Sequence, residues 1–241
     1  MDINLNDKKL SIIIPTYNEE NTISIILNKI VKVKLINNIR MELVIVNDCS
    51  TDNTENLIHK FINENNSVDV KYLKHMQNKG KGSAIHFGIT NSTGNYIIIQ
   101  DADLEYDPNE YNILLKPIID GVADVVYGSR FIGGKPHRIL FFWHSIGNKV
   151  LTFISNMFTN LNLTDMETCY KLFKSEVIKP LILKEKRFGF EPEITSKIAK
   201  ISNIKIYEVG ISYYGRNYSD GKKINWKDGF RAIYCIIKYS L

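Results

Sequence analysis

Asp101 and Asp103 stand one residue apart at the end of a short apolar run, Ile97-Ile98-Ile99, with Glu105 two positions further on. Such a run ending in carboxylates reads as a buried parallel strand that delivers acid groups to the C-terminal edge of a sheet. Ligands of open α/β sheets bind in the crevice at that edge. Two carboxylates there suit a hard divalent ion such as Mg²⁺, which takes one or two carboxylates and completes its shell with substrate phosphates and water. An Asp-rich turn that caps the following helix is the plainer reading of the same residues. Glu19 and Asp48 also follow apolar runs, so a parallel sheet would turn three acidic loops toward one crevice, where carboxylates accept hydrogen bonds from ribose hydroxyls or a base N–H.

Basic groups fall at similar places. Lys79-Gly80-Lys81-Gly82 precedes a helix, and glycine lets backbone amides approach an anion there. The loop is neither a Walker A sequence nor G-x-G-x-x-G, since Ile85 stands where a third glycine would fall; a kinase, an ATPase and a classical dehydrogenase are disfavoured. Gly128-Ser129-Arg130 ends a further strand, and a guanidinium binds phosphate through a planar fork. Tyr213 to Lys223 is a basic, aromatic loop able to close over a diphosphate, or a solvated connection.

The elements that must position these groups alternate. Strands are predicted at Leu10–Ile14, Glu42–Asn47, Val70–Leu73, Ile97–Ile99 and Ala123–Gly128, separated by helical patterns. Ser50 and Thr51 are candidate caps for the second helix, as Ser175 is for a later one. This order implies a doubly wound, parallel α/β sheet. After Arg130 the pattern changes. Ile139 to Asn160 is rich in Phe, Trp, Ile and Met but broken by His144, Ser145, Asn148, Lys149 and Asn156; it reads as helix, either in a membrane interface or packed over the core. Trp226 to Tyr239 is amphipathic, with Trp226, Phe230, Ile233, Ile236 and Ile237 on one side.

Composition sets the outer bounds. At 44% hydrophobic and 24% charged, the chain has the make-up of a soluble globular protein. A net charge of +5 suits anionic partners such as nucleotide phosphates or acidic lipids but is too mild to indicate nucleic acid. Three scattered cysteines without a Cys-x-x-Cys pair argue against a disulfide framework or zinc site and for a reducing compartment. Neither a signal-peptide apolar core nor a bilayer-length apolar run is present, so the expected place is the cytoplasm, at the cytoplasmic face of a membrane.

Taken together, Ser11-Ile12-Ile13-Ile14-Pro15-Thr16-Tyr17-Asn18-Glu19-Glu20, Val46-Asn47-Asp48-Cys49-Ser50-Thr51-Asp52, Gly80-Lys81-Gly82 and Gln100-Asp101-Ala102-Asp103 resemble glycosyltransferase family 2. Gly128-Ser129-Arg130, Asp165-Met166-Glu167-Thr168-Cys169-Tyr170-Lys171, and Tyr214-Gly215-Arg216 with Gly221-Lys222-Lys223 resemble its dolichol-phosphate mannosyltransferase branch. The resemblance runs from about Lys9 to Tyr239. It implies a type A glycosyltransferase (GT-A, Rossmann-like) fold across 1–241, with a nucleotide-sugar half at about 9–130. An acceptor half at about 131–241 would carry interfacial helices at about 139–160 and 226–239. It implies an inverting, Mg²⁺- or Mn²⁺-dependent hexosyltransferase, with GDP-mannose or UDP-glucose as donor and a dolichyl or undecaprenyl phosphate as acceptor.

By position, Pro15, Tyr17, Glu19, Asp48, Lys81, Ala102 and Glu105 would line the donor site, and Asp101 and Asp103 would hold the metal and act in catalysis with Arg130. Arg216 and Lys222 would clamp the diphosphate, and Arg130, Arg138 and Ser145 would meet the acceptor. Two features depart from the pattern: relatives often carry C-terminal transmembrane helices, and Gly134-Lys135-Pro136-His137-Arg138 has fewer basic residues than the resemblance leads one to expect. Both bear on the acceptor. Two rivals follow: transfer to a saccharide hydroxyl, with Asp165, Glu167 or Glu191 as base, and a nucleotide-sugar-binding protein without turnover.

Overall fold

The computed structural model describes residues 8–134, 136, 138–139, 142–215 and 226–241. Seven strands form one sheet: β1 (Lys9–Thr16), β2 (Arg40–Asn47), β3 (Asp69–Lys74), β4 (Tyr96–Ile99), β5 (Val125–Ser129), β6 (Lys171–Lys174) and β7 (Ile206–Gly210). Their spatial order is β3-β2-β1-β4-β6-β5-β7. All neighbours pair in parallel except β6, which runs antiparallel to both β4 and β5. The parallel α/β expectation holds, and the reversed strand is the addition the apolar pattern did not show. Strands from both halves of the chain share this sheet.

Among the described residues eight α-helices flank it: α1 (Ile23–Ile30), α2 (Thr54–Glu64), α3 (Lys81–Asn91), α4 (Tyr111–Ile119), α5 (Phe142–Thr159), α6 (Ser175–Ile178), α7 (Phe190–Ala199) and α8 (Trp226–Ser240). Side chains alternate across a strand, so β1 feeds two cores. Ile12 and Ile14 pack with α1, α2 and α4, while Ile13 packs with α3 and with Ile194 and Ile198 of α7. Burying both faces explains why these strands read as continuous apolar runs.

Three local expectations are corrected. The residue before α2 is Asn53, and its side chain makes no cap bond; Ser50 and Thr51 instead bond to Asn18 across the neighbouring loop. Ser175 is the first residue of α6, with Lys174 in the cap position. In α8 the buried stripe is Ala232, Cys235, Ile236 and Tyr239, while Phe230 and Ile237 face outward. The small Ala232 and Cys235 let the helix approach its neighbours closely, and that packing overrides the larger side chains' apolar preference. Among the described residues no helix is long and apolar enough to cross a membrane.

Candidate active site

Parallel strands place the ends of β1, β2, β4 and β5 along one edge. The loops after β1 and β2 are stitched together there. Asn18, in the left-handed region at φ 54°, accepts from the Thr51 amide at 2.8 Å and donates its own amide to Ser50 Oγ at 3.1 Å. The Glu19 amide donates to Thr54 Oγ1 at 2.8 Å, and the Glu19 carboxylate accepts from Thr22. Pro15 and Tyr17, partly buried, lie beside this seam.

Asp48 is buried, and its carboxylate accepts from the amides of Lys79 at 2.9 Å and Gly80 at 2.7 Å and pairs with His75 Nδ1 at 2.6 Å. The anion at the start of α3 is therefore a side chain of the chain itself, which fixes the glycine loop. Gly80, at φ 94°, and Gly82 lie so close to the 185–187 backbone that a Cβ would fall 2.5 Å and 2.4 Å from carbonyl oxygens. This close approach needs glycine, and it aims Lys81 at the end of β4.

Asp101 follows β4 with only 9% of its surface exposed. Gln100 pins the turn: its amide donates to the Ile13 carbonyl, its side-chain nitrogen to the Asp101 carbonyl, and its oxygen accepts from Tyr111. Lys81 Nζ lies 2.7 Å from Asp101 Oδ1, 2.8 Å from Oδ2 and 3.0 Å from Cys169 Sγ. Burial opposes the Lys81 charge, yet Asp101 holds its pKa well above the ordinary lysine value. Burial, with Asp101 adding to it, pushes the Cys169 thiol well up, so it is protonated. Ala102 is buried, and Asp103 Oδ1 accepts from the Glu105 amide at 3.2 Å across Leu104, which sits at φ 67°. A left-handed leucine marks a strained turn held by its surroundings. Tyr213 donates to Glu105 Oε2 at 2.9 Å and the Tyr214 amide to the Glu105 carbonyl, tying the acidic loop to the segment after β7.

Two hard carboxylates at a strand end fit Mg²⁺ or Mn²⁺ by donor chemistry. Among the described residues no group of three or more Asp, Glu, His or Cys forms a metal cage. Asp101 and Asp103 would thus hold an ion whose shell is completed by substrate oxygens and water.

Arg130 follows β5, and its fork is met by Asp165: Nε to Oδ2 at 2.7 Å, Nη2 to Oδ1 at 2.7 Å, and its own amide to Oδ2 at 3.0 Å. Burial opposes this charge, but Asp165 holds the guanidinium well above its ordinary value. The Tyr213 ring lies 5.2 Å from the guanidinium carbon, a cation–π distance. Asn148, on α5, donates to Asp165 Oδ1 at 3.2 Å and accepts from Arg130 Nη2 at 3.4 Å. The two-point fork predicted for phosphate is thus spent on a carboxylate, leaving Nη1 outside that pairing. Asp165 reaches this edge because β6 runs backwards, so the residues before it arrive where the parallel strands end. Two bonds tie Gly128 of β5 to this returning segment: the Gly128 amide donates to the Tyr170 carbonyl, and Thr168 Oγ1 donates to the Gly128 carbonyl.

Glu167 lies on the same segment. Its Oε1 is enclosed and has no hydrogen-bond partner among the described residues. Burial, and then the nearby Glu191, push its carboxyl up to about 7, against the pull of Lys171 and Arg130. Glu191 itself pairs with the buried Lys171.

The edge therefore gathers Glu19, Asp48, Lys81, Asp101, Asp103, Glu105 and Arg130. Arg138 donates to the Gly215 carbonyl at 2.6 Å, and Ser145 lies partly buried on α5. Arg216 and Lys222 lie outside the described residues. Asn148 enters the site unannounced by the sequence, since an Asn in an apolar helix carries no signal of where it will land; Cys169 and Tyr213 belong to stretches singled out above, but their partners, Lys81 for one and Glu105 and Arg130 for the other, were not foreseen.

The family model described as glycosyl transferase family 2 matches residues 11–182. A UDP-N-acetylglucosamine–dolichyl-phosphate N-acetylglucosaminyltransferase of Methanococcus voltae is 29% identical, over 96% of this chain and 96% of that protein. A dolichyl-phosphate beta-glucosyltransferase of Dictyostelium discoideum is 29% identical over 90% of this chain and 68% of its own. Among solved structures, glucosyl-3-phosphoglycerate synthase from Mycobacterium tuberculosis, in complex with Mn²⁺, UDP and phosphoglyceric acid, superposes with a TM-score of 0.74. That match covers 98% of this chain and 80% of that one at 15% identity, a likeness of fold that agrees with the expected GT-A architecture. The chain belongs to glycosyl transferase family 2.

Proposed function

We propose that this glycosyltransferase moves a hexose from a nucleotide sugar to a polyprenyl phosphate, dolichyl or undecaprenyl, with inversion at the anomeric carbon. The observation that carries the reading is the Asn148 bridge. It joins Arg130, at the polar crevice, to α5, whose Phe142, Trp143, Val150, Phe153 and Met157 are exposed. A lipid phosphate needs both surfaces side by side, a cationic edge for the head and an apolar one for the tail or the membrane in which it is anchored. The names of the two relatives, each a dolichyl-phosphate glycosyltransferase, support the acceptor. The Methanococcus name supports adding UDP-N-acetylglucosamine to UDP-glucose and GDP-mannose as donors to test.

A phosphate monoester loses its second proton near pH 6 and is largely dianionic at neutral pH, so it attacks without a general base. Its oxygen bonds to the anomeric carbon as the bond to the diphosphate oxygen breaks, and the electron pair leaves with the nucleoside diphosphate. Arg130, fixed by Asp165, orients the acceptor phosphate through the part of the guanidinium its partner does not use. Glu19 and Tyr17, on the stitched loops, border the nucleoside, and Lys81 stands beside the diphosphate; the family resemblance assigns the clamping of that diphosphate to Arg216 and Lys222. A divalent ion on Asp101 and Asp103, when bound, neutralises charge on the leaving diphosphate. The protein would work at the cytoplasmic face of a membrane.

The test is nucleoside diphosphate release from UDP-N-acetylglucosamine, UDP-glucose and GDP-mannose with Mn²⁺, with and without a short polyprenyl phosphate. Lipid-dependent release that Asp103→Ala abolishes is expected and identifies the donor. One observation favours transfer to a saccharide hydroxyl instead: Glu167, poised near neutrality, has the pKa such an acceptor's base requires. Release dependent on a saccharide and not on the lipid would establish that alternative. Nucleotide binding without turnover on any acceptor would leave a binding protein.

A further inference from the structure

The Lys81 ammonium spans both oxygens of Asp101, at 2.7 and 2.8 Å. With Cys169 Sγ at 3.0 Å, three acceptors match its three N–H groups. A cation bound to that carboxylate from the same side would take the ammonium's place. We infer that Lys81 is an internal stand-in for the divalent ion, neutralising Asp101 until the nucleoside diphosphate arrives, when the metal takes the carboxylate and Lys81 turns to a diphosphate oxygen. The inference rests on the reading above that Asp101 and Asp103 hold the metal.

The geometry supports an exchange of partners. The glycine loop fixes the Lys81 backbone, through Asp48 on one side and the 185–187 segment on the other, so only the four-carbon stem needs to move. A compact ammonium on a flexible stem is suited to such a shift. The electrostatics impose an order. A metal arriving before the nucleotide must displace a charge already paired at a largely buried carboxylate, and the stranded ammonium would then face the metal's own positive charge. With the diphosphate present, both cations have anionic partners. Metal and nucleotide then favour each other's binding by the same factor, as linkage requires.

The experiment titrates Mn²⁺ alone into the wild-type protein, K81M, K81Q and K81R, reading free Mn²⁺ by its paramagnetic resonance signal. It is then repeated with UDP or GDP, corrected for the nucleotide's own chelation. K81M and K81Q are expected to bind Mn²⁺ at least tenfold more tightly than wild type without nucleotide, and K81R to remain as weak as wild type. Asp101→Asn added to K81M should remove the gain. The contrast between the neutral variants and K81R separates the effect of the charge on Asp101 from any general loss of fold. Unchanged Mn²⁺ affinity in the neutral variants, while nucleotide still brings Mn²⁺ onto wild type, overturns the exchange and leaves the metal reading intact. So does wild type binding Mn²⁺ as tightly without nucleotide as with it, a result that needs no variant to fold. Absence of Mn²⁺ binding in every protein, even with nucleotide, overturns the metal reading itself.

Discussion

Arg130 and Asp165 meet as a two-point ion pair, with 2.7 Å separations from Nε and Nη2, although 35 positions separate them in the chain. Arg130 leaves the edge at the end of the parallel strand β5, and Asp165 returns to it ahead of the antiparallel β6. The pair closes this corner of the crevice and carries α5 with it through Asn148.

Asp165 is fully buried, so Asp165→Ala strands the Arg130 charge without its partner. Breaking one half of a buried pair costs roughly 3–5 kcal/mol. Urea denaturation is expected to show a loss of that order, with a smaller one for Asp165→Asn, which keeps the shape. Equal midpoints for all three proteins would contradict the role assigned to the pair.

Asp48→Asn tests the glycine loop. The carboxylate accepts from the Lys79 and Gly80 amides through separate oxygens, and an amide in its place turns an N–H toward one of them. A lost charged bond together with an unsatisfied donor costs about 1–3 kcal/mol. The expected result is lower thermal stability together with weaker nucleotide binding, because Lys81 loses its fixed base.

Glu167 gives a pH signature. Its carboxyl rises from 4.5 to about 7 on folding, so the folded state binds a proton that the unfolded state has already released. Its contribution to stability is present in full below the unfolded value and is lost as pH rises through about 7. Glu167→Gln is therefore expected to flatten the decline in stability between about pH 5 and 8. At the alkaline end it should exceed wild type by roughly 1–3 kcal/mol. Parallel stability–pH curves for the two proteins would refute the assignment.

Trp143 and Phe153 project from α5, at 78% and 64% exposure. The double change Trp143→Ser with Phe153→Ser should leave the melting temperature within a few degrees of wild type, since neither side chain is in the core. Sedimentation with vesicles containing anionic lipid should fall several-fold. Unchanged sedimentation would remove α5 from the membrane contact.

Alternating apolar runs and helical patterns, with acids and bases at the strand ends, already determined the α/β class, the crevice edge and most residues along it. Those signals are local, because burial on both faces writes itself as a continuous apolar run within one strand. Only the tertiary structure decided which charges meet. Lys81 and Cys169 are 88 positions apart and face each other because the antiparallel β6 returns its leading segment to the edge where β4 ends. The same reversal turned Arg130's fork to Asp165, while the close-packed glycine loop took Asp48 into the fabric of α3's start. In α8, contact with neighbouring helices chose the buried stripe over the larger apolar side chains. Partner choice depends on through-space distance and competition for one site, and neither is written in the spacing of residues along the chain.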